Sequence, residues 1–556
     1  MIVRMRHLDL VCLASAAEET LETLRSAAAV HLDLASVSGE EVVAAQSELT
    51  AAEQMVRAVL KAREGLSDEP EKRPRTVAEL QTILADRETL RAERDRLERD
   101  IRRYEPYGDF DPELAKKLLA RGIDLASVAE LPAQLPAMRL GKMREKLARV
   151  ENRIAIDTAK LAGADEQVLM RGVPALRDRL AFASAKESLA RQGRLAGLTG
   201  WVGEPQVQRV RELAATNGWG LLLRNPAADE TPPTLIEPPK FFRSMKVLFQ
   251  GLGISPAYSE ADVSVPFMCY FALFFAMLVG DGGYGMILLL GTVWGWRTYL
   301  KGPRTNGAVR SWLSLMSVMS LATVAWGALS NTWFGAGIPA CRNWPTVTWL
   351  ADPSYHNMML LCFTIGVSHL MIARIWNGVC KINDITCIGE FGWAGVVFFM
   401  YLVTNSIVGI SSGIPSWAYW VFGAALVMVF GFSVKPSELK TRGSELGMLP
   451  LSIMSALGDI ISYVRLFAVG LASVKVAENF NSLATGLVAD ADAFWLKALM
   501  TVAMLLILLA GHALNLAMAG LSILVHAVRL NTLEFSNHKG VSWSGYAFKP
   551  FKKTKE

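Results

Sequence analysis

An arginine stands inside an apolar run: Leu457-Gly458-Asp459-Ile460-Ile461-Ser462-Tyr463-Val464-Arg465-Leu466-Phe467-Ala468-Val469-Gly470-Leu471-Ala472. A guanidinium keeps its proton in essentially any protein environment. Near a bilayer centre it costs at least ~2.5–3.5 kcal/mol, and such a residue usually faces a bundle interior or a watery ion path. The same run carries Asp459, Ser462, Tyr463, Ser473, Lys475 and Glu478; the next apolar run carries His512, Asn515, Ser522, His526, Arg529 and Glu534. Carboxylates, imidazoles, hydroxyls and amides so placed can line a route for a cation. Plainer roles compete: Arg529 and Glu534 lie near a span end, where snorkelling explains them, and His526 could pack as a bundle histidine. Arg465 is too central to snorkel easily.

Other motifs carry less. Gly280-Asp281-Gly282-Gly283-Tyr284-Gly285 contains GxGxxG, but it lies between two apolar spans rather than between a strand and a helix. It reads as a tight bend between membrane segments, with Asp281 near the outer water boundary. No GxxxxGK[ST] or HExxH motif occurs. The six cysteines (Cys12, Cys269, Cys341, Cys362, Cys380 and Cys387) form no CxxC pair and read as buried free thiols, with no metal or cofactor site expected. The net charge of +5 is small for 556 residues, and basic residues interleave with acidic ones, so no nucleic-acid partner is implied.

The elements that must position these groups follow from a sharp division. Up to Pro239 the chain is rich in Glu, Arg, Lys and Ala; after Pro266 it is dominated by Leu, Ile, Val, Phe, Met, Trp and Gly. A spanning helix needs ~20 apolar residues. Eight candidate spans result: about 264–280, 282–300, 309–332, 355–376, 387–411, 416–434, 446–486 and 493–535, the last two long enough to tilt strongly. Alternate connections are basic: Arg297, Lys301, Arg304 and Arg310; Arg374 and Lys381; Lys435, Lys440 and Arg442; Lys549, Lys552, Lys553 and Lys555. The positive-inside rule makes these cytoplasmic and predicts both termini in the cytoplasm. Trp312, Trp344, Trp349, Trp417 and Trp495 suit interfacial anchoring.

The expected fold is mostly α: a cytoplasmic antiparallel coiled-coil arm with small α/β lobes over 1–239, a linker over 240–263, a membrane domain over 264–535 and a cytoplasmic tail over 536–556. Ile83, Leu90, Leu97 and Tyr104 recur by seven, as do Leu147, Ile154, Leu161 and Val168, with Leu80, Ile101, Met143 and Val150 on adjoining seams. An earlier helix over 40–63 joins the ascending arm. Pro106, Gly108, Pro112, Pro132 and Pro136 break the pattern and suit a small globule at the far end. Ile2–Leu13, Leu198–Val202 and Trp219–Leu223 look strand-like and would gather at the base.

Three stretches carry a family likeness. Gly458-Asp459-Ile460-Ile461-Ser462-Tyr463-Val464-Arg465-Leu466, Gly511-His512-Ala513-Leu514-Asn515-Leu516 and Val525-His526-Ala527-Val528-Arg529-Leu530-Asn531-Thr532-Leu533-Glu534-Phe535 resemble subunit I of the bacterial and archaeal A/V-type ATPases, the counterpart of subunit a in vacuolar pumps. Phe274 to Gly285 and the terminal Phe548-Lys549-Pro550-Phe551 also match. The likeness runs through the whole chain and is most specific in the last two spans.

The resemblance implies a stator arm docking peripheral-stalk subunits, and a membrane half beside a rotating proteolipid ring. It further implies a central-stalk adaptor as partner in the free membrane sector, and residence in a bacterial plasma membrane. ATP hydrolysis would belong to other subunits, so the chain is not an enzyme alone. Arg465 matches the family's essential arginine and Arg529 its second. Ala519 stands where a glutamate is often found, and Ser473 where vacuolar proteins have histidine.

A fixed cation favours the charged form of a passing carboxylate. A ring carboxylate meeting Arg465 would release its proton or sodium ion, then be neutralised before facing lipid. Asp459, Ser462 and Glu534 are expected on the cytoplasmic side, and Ser473, Lys475, Glu478 and His512 on the outer side, with Asn515 as a further outer group. Two rivals stand beside this. A secondary transporter usually shows paired repeats with broken helices, and none is evident between the two halves of the membrane domain. A membrane tether would leave Arg465 without a purpose.

Overall fold

The computed structural model describes residues 2–34, 39–64, 77–121, 135–164, 166–301, 307–435, 447–489 and 494–553. The chain forms two compact units, neither continuous in sequence: Met5–Glu230 with Lys549–Glu556, and Met1–Arg4 with Thr231–Phe548.

The first unit contains β1 (Met5–Leu13), α1 (Ala17–Ala27), β2 (Val30–Leu32), α2 (Glu40–Glu64), α3 (Val77–Tyr104), α4 (Pro112–Ala120), α5 (Leu140–Ala162), α6 (Glu166–Glu187), β3 (Ala190–Gln192), β4 (Leu195–Gly203), α7 (Val207–Asn217) and β5 (Gly220–Arg224). The sheet runs β2-β4-β1-β5, with β3 also on β4, and β1 pairs antiparallel with both β4 and β5. Leu8, Leu10 and Cys12 alternate inward on β1, as a half-buried strand requires. They pack with Leu21, Leu24, Leu198, Val202, Val210 and Phe551. One pattern occurs twice: a nine-residue strand, a single 3-10 turn, an eleven-residue helix, a left-handed residue and a short strand. The left-handed residues are Ala28 (φ 53°) and Gly218 (φ 67°). This split βαβ repeat was not evident from sequence, because the helical arms separate its copies. The strand expected from Ile2 begins at Met5; Ile2 instead bridges to Ile236 in the second unit.

The heptad segments do pair. α3 packs along α5 and α2 along α6. Ile101 and Tyr104 meet Leu140 and Met143 at one end of the α3–α5 pair, and Leu80 meets Leu161 and Ala162 at the other, so the two run antiparallel. Lys146–Glu93 (2.6 Å) and Arg177–Glu53 (2.7 Å) flank the α3–α5 and α2–α6 seams. The second heptad run stops earlier than its spacing implied: Gly163 follows the last residue of α5, and Val168 belongs to α6. Pro112 opens α4 behind Asp111, whose carboxylate accepts the Glu113 N–H at 3.0 Å. Pro132 lies outside the described residues.

At the end of the sheet, Arg224 donates to both carboxylate oxygens of Glu230, at 2.8 and 2.5 Å. That fork, with the Ala227 N–H, holds the Glu230 carboxyl down at about 2 against an ordinary 4.5. A lowered folded value means stabilisation is complete above the ordinary value and lost as pH falls through the folded one. The melting temperature of Glu230→Gln should therefore trail the wild type at pH 6, and the gap should close from pH 4.5 toward about 2. A gap independent of pH would refute this. The effect is small, because the pair lies at the surface and is only partly buried.

The second unit contains α8 (Met245–Leu252), α9 (Ser264–Val279), α10 (Gly282–Lys301), α11 (Gly307–Ser330), α12 (Pro345–Leu350), α13 (His356–Cys380), α14 (Thr386–Ile407), α15 (Ser416–Phe432), α16 (Leu449–Ile461), α17 (Val464–Ala489), α18 (Phe494–Ser522) and α19 (Ser536–Lys539). Two π-helical stretches, Ile523–Ala527 and Leu530–Phe535, lie between the last two helices. Among the described residues, five segments are long and apolar enough to cross a membrane: Gly307–Ser330, His356–Cys380, Thr386–Ile407, Leu449–Leu487 and Lys497–Lys539. Ser264–Val279 and Ser416–Phe432 are apolar but shorter. The last two segments reach 39 and 43 residues, matching the lengths expected of them.

α9 forms much of the core of this unit: Phe267, Phe271, Phe274 and Leu278 are all buried, together with Leu315, Phe363, Leu370 and Val396. Arg374, counted above with the loop charges, sits within α13, paired to Glu390 at 3.3 Å and lying over Trp393. Arg304, Lys440, Arg442 and Lys555 fall outside the described residues. The thiols are free, but the expectation that they are buried holds for Cys12 and Cys362 and fails for the exposed Cys269 and Cys380.

Candidate functional site

Arg465 sits at the second position of α17, immediately after a break in its span. Ser462 and Tyr463 separate α16 from α17, and the Arg465 N–H reaches the Ser462 carbonyl at 3.3 Å, a bond three residues back instead of four. Nη1 of Arg465 is buried with no hydrogen-bond partner among the described residues. Arg529 lies on the returning segment, between the two π-helical stretches. Such turns inside α-helices are frequent at functional sites. The first π stretch contains His526 and the second Glu534. Arg529 Nε approaches Glu534 Oε1 at 3.5 Å, while Glu534 Oε2 and His526 Nδ1 are buried without partners among the described residues. Both arginines are within electrostatic reach of His526 and Glu534.

The residues expected on the outer side divide into two groups. Ser473 and Asn515 are buried and joined, with Asn515 Nδ2 donating to the Ser473 carbonyl at 2.8 Å and to the Tyr284 hydroxyl at 3.0 Å. Tyr284 meets His512 Nδ1 at 2.7 Å, and His512 Nε2 meets Asn481 Oδ1 at 3.2 Å. Tyr284 and Asn481 thus complete a chain that the sequence reading missed. Tyr284 stood in plain view inside the glycine-rich stretch, but its reach to His512 spans 228 positions. Lys475 and Glu478 pair with each other at 2.7 Å, outside that chain. They line a cavity of about 320 Å³ with Ser330, Thr332, Asp352 and Tyr355.

The glycine-rich turn lies beside this chain. Gly280 ends α9 with φ 71°, a left-handed conformation suited to glycine. Asp281 is wholly buried within the protein. Its carboxylate accepts the N–H groups of Gly283 (2.7 Å), Phe334 (2.8 Å) and Gly335 (2.7 Å). The 331–337 loop therefore folds over the turn, and Gly282 N–H donates to the Thr332 carbonyl at 2.9 Å.

The three residues expected on the cytoplasmic side do not bond to one another. Ser462 spends its hydroxyl on the Gly458 carbonyl. Asp459 instead meets His538 Nε2 at 3.0 Å, and Arg374 Nε donates to His538 Nδ1 at 3.1 Å. An arginine can only donate, so His538 Nδ1 accepts and its Nε2–H points at Asp459. His538 and Glu390 were not singled out from sequence, and Arg374 only as a loop charge, since nothing local links α13, α14 and α19. Ala519 is buried beside the core, so no acidic group stands there.

No protein-family model matches the chain. Among curated proteins, V-type ATP synthase subunit I of Borreliella burgdorferi is 32% identical over 375 residues, covering 65% of this chain and 60% of that protein. V-type ATP synthase subunit I 1 of Treponema pallidum is 27% identical over 99% of this chain and 100% of that protein. A-type ATP synthase subunit I of Thermococcus kodakarensis is 25% identical over 66% of this chain and 56% of that one.

Proposed function

We infer, from its similarity to subunit I of V-type and A-type ATP synthases, that this chain is the membrane stator of a rotary ion-translocating ATPase. One observation carries the reading: Arg465 stands in an apolar span with a buried Nη1 that finds no acceptor among the described residues. Its partner would be a carboxylate on a ring of proteolipid subunits. As that carboxylate arrives, the guanidinium favours its charged form and the bound ion leaves. Before it turns toward lipid it must be neutralised, because a bare charge there is costly.

Two access paths would serve the exchange. The cavity beside Lys475 and Glu478 supports the outer one. Asp459, Ser462 and Glu534 would serve the cytoplasmic one, with His538 as an added neighbour of Asp459. Arg465 between them repels cations and blocks direct leakage. Exposed Leu499, Val502, Leu506 and Leu509 on α18 give the smooth apolar face that a sliding ring requires. The α2, α3, α5 and α6 helices would form the coiled-coil arm gripping peripheral stalks, with both termini in the cytoplasm and the chain in the plasma membrane.

Purification tests the assignment. Mild detergent extraction should bring this chain out with small proteolipid subunits and ATPase subunits. Recovery alone, or with one soluble partner only, would overturn it. Uptake by native membrane vesicles, driven by ATP with and without sodium, identifies the ion.

A further inference from the structure

His369 has no part in the ion path described so far, yet it touches both of its irregular helices. It belongs to α13 and is completely buried. Nδ1 meets the hydroxyl of Tyr463 at 2.8 Å. Tyr463 is itself fully buried and forms the break two residues before Arg465. Its N–H bonds to the Ile460 carbonyl at 3.1 Å, and the Leu466 N–H bonds to the Tyr463 carbonyl at 3.0 Å, so a tightened turn leads into the arginine. α13 makes room for that ring with Gly366, where a Cβ would stand 2.6 Å from the Tyr463 ring carbon Cγ.

The faces of the imidazole are also occupied. One stacks on Phe535, with centroids 4.5 Å apart and planes at 13°. Tyr270 of α9 stacks with it too, at 4.0 Å and 28°. Phe535 ends the second π-helical stretch, which begins directly after Arg529. A single ring therefore joins the turn before Arg465, the turn after Arg529 and the buried helix α9.

The chemistry of the residue is selective. His369 Nε2 is buried with no partner among the described residues, which costs stability. Phenylalanine would provide the stack without that cost, and asparagine would supply a hydrogen-bonding atom near Nδ1 without the stack. Histidine does both. We propose that His369 is a positioning residue that fixes Arg465 relative to Arg529, by bonding to Tyr463 and stacking on Phe535. The inference rests on the ion-path reading of the two arginines. It assigns His369 no proton and no contact with the ion.

The test uses the intact ATPase in native membrane vesicles, with subunit content, ATP hydrolysis and ion uptake measured separately. Arg465→Ala is the reference. Tyr463→Phe removes one oxygen; His369→Phe keeps the stack and removes the nitrogens. Each should lower ion uptake per ATP about tenfold or more, since small misplacements of a reacting group are costly. The double variant should be no worse than either single one, because both break the same bond. His369→Asn restores the hydrogen-bonding atom but not the stack, so its uptake should lie between those of the wild type and His369→Phe. If Arg465→Ala leaves uptake intact, the ion-path reading itself fails. If Arg465→Ala abolishes uptake, three results would overturn the positioning role alone. They are unchanged coupling in the two Phe variants, losses that multiply in the double variant, and an Asn variant as defective as His369→Phe.

Discussion

Membranes carrying Arg465→Ala should contain the assembled complex and show no ATP-driven ion uptake. The two halves of this expectation have separate causes. Assembly persists because a central arginine opposes membrane insertion by about 2.5–3.5 kcal/mol, so its removal does not weaken insertion. Buried Nη1 also makes no bond to the described residues that alanine would break. Transport fails because nothing else at this depth of α17 supplies a permanent cation: the nearest basic group on that helix, Lys475, lies ten positions on and is tied to Glu478. Arg465→Lys should fail as well. An ammonium lacks the broad fork and can lose its proton when desolvated, so it offers a passing carboxylate neither the reach nor a guaranteed charge. The measurement is ion uptake by inverted vesicles alongside ATP hydrolysis and subunit content. Near-normal uptake in either variant would refute the role given to Arg465.

The second large effect concerns stability. Asp281→Ala should destabilise the membrane unit by about 3 kcal/mol or more, on the basis that each donor left unpaired costs at least ~1 kcal/mol. Three backbone N–H groups lose their acceptor at once, two of them in the 331–337 loop. Water cannot replace the carboxylate cheaply, since the residue is wholly buried. Asp281→Asn keeps one acceptor oxygen and should fall between wild type and alanine. Thermal unfolding of the detergent-solubilised protein reads this directly, and an unchanged melting temperature for the alanine variant would contradict the loop-clamp role.

These two residues also mark how far the sequence could be read. Arg465 was conspicuous because a single charge among aliphatic residues is a local anomaly, visible without any partner. Asp281 was equally visible, but its burial was not, since the loop that covers it starts some fifty positions later. The apolar helices and the antiparallel helix pair were legible through composition and heptad spacing. The break at Ser462–Tyr463 was not, because neither residue is a helix breaker and a buried tyrosine is held by tertiary contacts. The π-helical turns around Arg529 carry no composition signal either. Among the charged groups, the Asp459–His538–Arg374 line was hidden because its members come from three helices: Asp459 stood out alone within its span, Arg374 looked like a loop charge and His538 like part of the tail. Pairing is a property of the fold, and one-dimensional spacing shows only those pairs that share a helix.

The sheet of the first unit has a consequence for synthesis. Its outer strand β2 is covered by the C-terminal tail: the Phe551 N–H bonds to the Val30 carbonyl, the Lys549 N–H reaches His31 Nδ1, and the Phe551 side chain enters the core. These contacts join positions 518 residues apart. A ribosome that has finished all five strands has still not made the segment that shields β2, and must first deliver every apolar helix between them. The nascent sheet therefore waits with an open edge, the feature most prone to pairing with a foreign strand. Interrupted translation would leave that edge exposed for good, marking unfinished chains for aggregation or removal.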